Sequence, residues 1–341
     1  MKDIREITSE ELCAFLKENG EGAFRAKQIE KWLWKKQIRS FDAMSDLSLH
    51  LREKLKKYFT FKTATIFQEL QSKDKTVKFV FAFHDKTKVE GVLIPSRERV
   101  TACISSQVGC PLACRFCATG TMGFVRDLHF SEIIDQFALM NEKAKEYFNT
   151  TISNIVYMGM GEPLLNYDNV MASIDLLTSA KGQEMSPSRI TLSTVGIVKG
   201  IRQLADDGFK AGLAVSLHTT NEFVRREIMP VTNTNPLSEL QSALQYFVQK
   251  TDSRITFEYT MLRGVNDTLL DAEHLAKYCR AFPVKINIIE YNATDSEFKG
   301  SSRENIEKFV QFLESKNMII NIRKSKGEDI SAACGQLVRK Y

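Results

Sequence analysis

No stretch of the 341 residues approaches the roughly 20 apolar residues that a membrane helix needs, and the N-terminus lacks the apolar run of a secretion signal. The chain is therefore expected in the cytoplasm, with no membrane partner. Low-complexity segments and short repeats are absent as well, which leaves no sign of a repeat array. Cysteine is present seven times, but an odd count without an export signal excludes a disulfide framework, so the spacing must be read for metal or redox chemistry. A net charge of +5 is too mild to demand or exclude a nucleic-acid partner. With 43% hydrophobic and 26% charged residues the composition is that of an ordinary globular protein, and disorder is not its main feature.

Charge and pattern divide the chain. Between Ala23 and Phe59 ten basic residues face four acidic ones, whereas the first 22 residues lean acidic. Residues 1–61 read as a small helical domain without strands, Ser9 capping a helix to Glu18 and Phe24 to Lys36 carrying Ile29, Trp32 and Leu33 at helical spacing. Its basic face could contact RNA phosphates, with Trp32, Trp34 and Phe41 either reading bases or lying in a core. Residues 62–98 alternate, as in Thr76 to Phe83 and Val89 to Pro95, and predict a short antiparallel β extension. From residue 99 to about 325 apolar runs at Asn154–Met158, Arg189–Ser193, Gly212–Leu217, Ile255–Met261 and Lys285–Ile289 alternate with helical stretches. That pattern predicts an α/β fold of parallel strands with covering helices, a partial (β/α)6 TIM-like barrel, since the length falls short of the ~250 residues of a closed one. Residues 326–341 form a tail, which small residues and a glycine mark as flexible.

Four of the seven cysteines fall within fifteen residues, in Cys103-Ile-Ser-Ser-Gln-Val-Gly-Cys110-Pro-Leu-Ala-Cys114-Arg-Phe-Cys117, after the first strand of the α/β region. Thiolates so closely spaced can converge on one inorganic centre. Two centres fit: an iron–sulfur cluster on Cys110, Cys114 and Cys117 with one iron open, or a zinc ribbon using Cys103 as fourth ligand. After the next strand comes Met158-Gly159-Met160-Gly161-Glu162-Pro163, where glycines admit close backbone approach and a carboxylate can accept from an ammonium. Ser193, Ser216-Leu217-His218 and Asn292 end later strands, where barrels place their sites; singly each reads more often as a turn or cap. Cys334, in Ser331-Ala-Ala-Cys334-Gly-Gln-Leu337, is by default a small hydrophobe, but an exposed thiol there could be a nucleophile. Glu90 alone reads as a solvated strand carboxylate, and Cys13 and Cys279 match nothing and read as structural.

The CxxxCxxC spacing resembles the radical S-adenosylmethionine (SAM) superfamily. With Met158 to Asn166 and Ala332 to Leu337 it resembles, over nearly the whole chain, the RlmN-type RNA adenine methyltransferases. The resemblance implies a radical SAM barrel holding one 4Fe-4S cluster on Cys110, Cys114 and Cys117, and two SAM molecules per turnover. It implies SAM contacts at Gly161, Glu162, Ser193, Ser216, Leu217, His218 and Asn292. Cys334 would become S-methylcysteine, its methyl would be activated by a 5'-deoxyadenosyl radical and add to adenine, and Cys103 would release the product by forming a disulfide with Cys334. Glu90 would be the proton acceptor. The implied partners are 23S rRNA, modified at carbon 2 of adenosine 2503, tRNA modified at adenosine 37, a flavodoxin-type electron donor and a disulfide reductant. Pro163, the Val89-to-Pro95 stretch, Arg323-Lys324 and Gly327-Glu328-Asp329 resemble the carbon 2 group more than the Cfr-type carbon 8 enzymes of antibiotic resistance. A non-catalytic zinc-stabilised RNA-binding protein is the reading from a different class.

Overall fold

The computed structural model describes residues 1–97 and 99–337; Glu98 and residues 338–341, at the end of the expected tail, lie outside the described residues. Two short strands, β1 (Lys2–Asp3) and β2 (Phe59–Thr60), pair in parallel and close off the N-terminal unit. The expectation of no strand there is thus corrected: two-residue ladders formed between distant segments carry no periodicity to read. The first helix, Ser9–Glu18, is capped by Thr8 and not Ser9, because Thr8 and Glu11 exchange side-chain and backbone hydrogen bonds at 3.1 and 2.8 Å. The expected helix from Phe24 runs as Phe24–Glu30 and then widens into a π-turn at Lys31–Lys35.

Leu12, Leu16, Ile29, Leu33, Leu51 and Leu55 build this unit's own core, together with Trp32 and Phe41. Trp32 is spent there, its indole N–H donating to Asp46 at 2.5 Å. Trp34 packs on Phe130 of the following domain, ring centroids 5.6 Å apart. Both tryptophans are therefore packing residues, while Lys27 and Lys31 remain exposed. The unit is fastened by Arg5, buried between Asp3 at 2.9 Å and Asp135 at 2.7 Å. The same carboxylates accept from the backbone of Lys62 and Ala64, so one ion cluster fixes strand, connecting segment and the helix Phe130–Phe148.

Among the described residues ten strands make one sheet. Three are antiparallel, β3 (Thr65–Gln71), β4 (Val77–Ala82) and β5 (Lys88–Ser96), and β5 pairs with β6 (Arg99–Cys103). The extension therefore continues the barrel's sheet directly. A small hairpin, β7 (Gln107–Gly109) with β8 (Phe124–Asp127), brackets the cysteine loop. From β6 the order continues in parallel through β9 (Asn154–Tyr157), β10 (Ile190–Thr194), β11 (Gly212–Ser216), β12 (Ile255–Met261) and β13 (Val284–Glu290) to β14 (Ile319–Arg323). This is the expected α/β barrel sheet, left open, with β14 as a parallel strand beyond the six expected.

β12 is nearly all buried, because helices cover one face of the sheet and the site's side chains fill the other. The helix Leu237–Thr251 shows why such segments coil: Leu237, Leu240, Ala243, Leu244 and Phe247 are buried at spacings of three and four. The sheet and its helices form one continuous apolar core.

Candidate active site

The loops after the parallel strands line a cavity of about 1080 Å³, part of it open to solvent, at their C-terminal ends. Cys110, Cys114 and Cys117 lie on one side of it, held by local geometry. The backbone N–H of Cys110 donates to Gly123 at 3.0 Å, Cys117 N–H to Cys114 at 3.2 Å, and Arg115 N–H to Ile228 at 3.0 Å. A Cβ on Gly120 would lie 2.7 Å from the Cys114 carbonyl, so only glycine lets the loop close. None of the three is in a disulfide. Burial raises the thiol of Cys110 to about 12 and that of Cys114 well above its ordinary value.

Facing them is the loop after β9. Gly161 has φ +101° and its missing Cβ would stand 2.5 Å from that of Gln107, so glycine is required twice over. Glu162 is buried; its carboxylate accepts from Leu164 N–H at 3.1 Å and Val195 N–H at 2.8 Å, yet desolvation still pushes it up to about 7. A buried carboxylate held this way favours a cationic partner. Ser193, Ser216 and His218 line the same cavity. His218 sits in the left-handed region at φ 57° and accepts from Thr260 N–H on Nδ1 at 3.0 Å, which leaves Nε2–H as a donor. Burial, with Arg225 adding to it, holds this imidazole neutral, down to about 3. Leu217 is fully buried and does not line the cavity; its backbone bonds to Glu258 and Arg225.

The tail departs from the flexible segment expected. Asp329 accepts from Ser72 Oγ at 2.5 Å and Lys73 N–H at 3.1 Å, and Asp74 accepts from Gly327 N–H at 3.2 Å, so the β3–β4 turn holds the tail's beginning. Further on, Asn292 donates to the Cys334 carbonyl at 3.1 Å, Ala118 N–H to Gly335 at 2.8 Å and Thr119 to Leu337 at 2.8 Å. Cys334 is thereby placed with its side chain open to the cavity. It also lines a second cavity of about 680 Å³, whose wall includes Cys103. Cys103 is not in the larger cavity, which removes the fourth ligand the zinc reading needs. Nor, among the described residues, is any group of three His, Cys, Asp or Glu side chains gathered to hold a single metal ion. Three free thiols on one side of the cavity, with Cys103 outside it, fit an iron–sulfur cluster better than a zinc site that would use Cys103.

Three side chains that sequence reasoning did not place complete the site. Arg323 lines both cavities and pairs with Glu258 at 3.4 Å, which is held by Asn287 at 2.8 Å. The guanidinium works against burial at both Cys103, whose thiol is pushed up to about 12, and Cys334, also raised. Tyr291 adds the third wall residue. The signal for Glu258 was available: a carboxylate in the middle of a strand with no other charge. Glu90 is corrected in its surroundings: it is fully buried on β5, 3.1 Å from Lys78, and not solvated. It lines neither cavity, although Val92, next on the same strand face, lines the smaller. Lys78 in turn donates to the Ser331 carbonyl at 3.3 Å, linking this pair to the tail.

Residues 2–60 match the family described as the ribosomal RNA large subunit methyltransferase N-terminal domain, and residues 104–278 match the radical SAM superfamily. The chain is 49% identical to a protein of Cytophaga hutchinsonii described as a probable dual-specificity RNA methyltransferase RlmN, over 99% of this chain and 93% of that one. It is 45% identical to the dual-specificity RNA methyltransferase RlmN of Oleidesulfovibrio alaskensis, over 99% and 96% of the two chains. A crystal structure of a radical SAM methyltransferase from Sphaerobacter thermophilus superposes with a TM-score of 0.92 at 38% identity, covering 99% of both chains. Among the described residues no helix is long and apolar enough to cross a membrane.

Proposed function

The chain belongs to the RlmN family of radical SAM dual-specificity RNA methyltransferases, and from that premise we propose that it methylates carbon 2 of adenosine 2503 in 23S rRNA and of adenosine 37 in some tRNAs, with Cys334 as methyl carrier. The observation that carries this reading is the position of Cys334, in the wall common to a cavity lined by three further thiols and a cavity lined by Cys103. A single sulfur can there meet a methyl donor on one side and a resolving thiol on the other.

Cys110, Cys114 and Cys117 are assigned a 4Fe-4S cluster, and Gly161, Glu162, Ser193, Ser216, His218 and Asn292 the SAM, with Leu217 behind the cavity wall holding Ser216 and His218 on either side of it. When bound, these groups supply a transferable methyl and, with one electron from a flavodoxin-type donor, a 5'-deoxyadenosyl radical that removes a hydrogen atom; two SAM molecules are used per turnover. Glu162 offers its carboxylate to an ammonium, and His218 offers Nε2–H as a neutral donor. The Cys334 sulfur takes the methyl and bears the carbon that bonds to adenine. Cys103 then attacks that sulfur: the new S–S bond forms as the sulfur–carbon bond breaks, the carbon keeps the electron pair and is protonated to methyl. An external dithiol reduces the disulfide. Arg323, beside both thiols, favours their thiolate forms. The one electron left over as the ring proton is lost would return to the cluster, and Glu90 is the proposed acceptor of that proton. Its support is a buried position one strand step from the smaller cavity, coupled through Lys78 to the tail.

Nucleoside mass spectrometry of rRNA and tRNA treated with anaerobically reconstituted protein tests the proposal. 2-Methyladenosine at both positions is the expected product; 8-methyladenosine alone overturns the regiochemistry, and a colourless zinc protein without iron or sulfide overturns the reaction class.

A further inference from the structure

Arg225 is the largest of the fully buried side chains. It lies on the short helix Glu222–Ile228, and its guanidinium donates to the Leu217 carbonyl at 3.2 Å, to Thr232 Oγ1 at 2.9 Å, and to the carbonyls of Val195 at 2.6 Å and Ser216 at 3.3 Å. These acceptors are all neutral. Among the described residues no carboxylate forms an ion pair with it, and Glu222, one turn earlier, is spent on Arg226 at 3.1 Å and on Leu237 N–H at 2.9 Å. Hydrogen bonds orient a buried cation but do not cancel its charge, and an uncompensated one costs several kcal/mol. A fold keeps such a group where an anion will sit.

The anion is identified by what packs beside it. Cys114 shares an apolar cluster with Ile228 and Met229, which end the Arg225 helix, and Arg115 N–H bonds the Ile228 carbonyl at 3.0 Å. The Val195 and Ser216 carbonyls that the guanidinium binds belong to residues lining the same cavity as the three thiols. The guanidinium's other titratable neighbours are His218, which is neutral, Tyr278, whose phenol burial keeps protonated, and Glu222, already engaged by Arg226. A cluster bound by three thiolates is anionic, and one-electron reduction adds a further negative charge at fixed geometry. A cation buried behind residues that line the cavity of those thiols attracts the reduced form of such a cluster more than the oxidised one.

We propose that Arg225 is the built-in counter-charge of the iron–sulfur centre and raises its reduction potential, so that a biological one-electron donor can reduce it. The proposal rests on the cluster assignment to Cys110, Cys114 and Cys117. It predicts that charge at Arg225, more than its hydrogen bonds, sets the potential.

The test is the midpoint potential of the reconstituted protein, followed by electron paramagnetic resonance in an anaerobic redox titration. Arg225→Gln should lower the potential by about 59 mV or more, a tenfold change in a one-electron equilibrium. Arg225→Lys, which loses the forked geometry and keeps the charge, should stay nearer the wild type. Thr232→Asp sets an anion against the intact guanidinium and should lower the potential in the same direction, whereas Thr232→Asn should not. Equal shifts in Arg225→Gln and Arg225→Lys, or equal potentials in Thr232→Asp and Thr232→Asn, overturn the proposal. Should Arg225→Gln take up no cluster, the Thr232 pair decides alone. A wild type that binds no iron and sulfide overturns the cluster assignment and this proposal with it, and iron and sulfide analysis tells that outcome from a loaded cluster of unchanged potential.

Discussion

The loop of Cys110 to Cys117 and the tail around Cys334 both carry thiols on irregular backbone, and they are fixed in opposite ways. The loop is held from within: its bonds run to its own hairpin and to the adjacent helix end, and its glycine is sterically required. The tail is held from without, by the β3–β4 turn, by Asn292 and by the backbone just after Cys117. A ligand set for an inorganic centre needs fixed mutual geometry, which local contacts supply. On the role proposed for Cys334, a sulfur that carries a carbon from one partner to another needs attachments that can be released singly, without unfolding the barrel.

Substitutions can break this contrast, and the largest effects fall on the thiols themselves. Cys117→Ser should abolish both cluster and methylation, read by iron and sulfide content with nucleoside analysis. Cys334→Ala should abolish methylation to background while iron and sulfide stay at wild-type levels; turnover in that variant removes the carrier role. Next, Cys103→Ala should arrest the reaction after carbon transfer, seen as an RNA–protein adduct on a denaturing gel, and free turnover argues against its resolving role. Gly161→Ala drives a methyl into Gln107; overpacking of this kind costs about 1–3 kcal/mol, which should weaken SAM binding tenfold to a hundredfold by titration.

The smallest effect sharpens the tail's side of the contrast. Hydrogen bonds from Thr76 and Gly327 outweigh burial and hold Asp74 at about 2, below its unfolded value near 3.9. A lowered carboxylate contributes stability above the unfolded value and loses it as pH falls through the folded one. Asp329 is lowered likewise, by its bonds to Ser72 and Lys73. Pepsin cleavage within 327–337 should therefore rise as pH falls from about 4 to about 2, while the barrel helices resist. Asp74→Asn with Asp329→Asn should expose the tail already at neutral pH. Equal protection in wild type and double variant shows that the turn does not anchor the tail.

What the sequence makes legible is what is local. The spacing of Cys110, Cys114 and Cys117 and the apolar runs of β9 to β13 signal themselves, because a short loop and a buried strand are written in consecutive residues. β14 escaped notice since its edge position leaves Asn321 polar and Ile319 and Ile322 exposed, blurring the pattern. The β1–β2 ladder joins residues more than fifty positions apart. Glu90 reads as solvated because its strand alternates, yet β4 and β6 flank it and Lys78 meets it from the neighbouring strand. Arg225 carries no motif, and Arg323 signals itself only through resemblance, until the fold shows the first sealed among carbonyls and a hydroxyl and the second lining the cavity that Cys103 and Cys334 share.

The unbroken ladder from β3 to β14 has a consequence for how a substrate is measured. The N-terminal unit is clamped to the sheet's covering helix through Arg5, Asp3 and Asp135, and the sheet carries the cavity mouths at its strand ends. An RNA that touches both is held against a ruler of fixed length; on the role proposed for Cys334, a nucleotide reaches its sulfur only when the surrounding fold presents it at the right span.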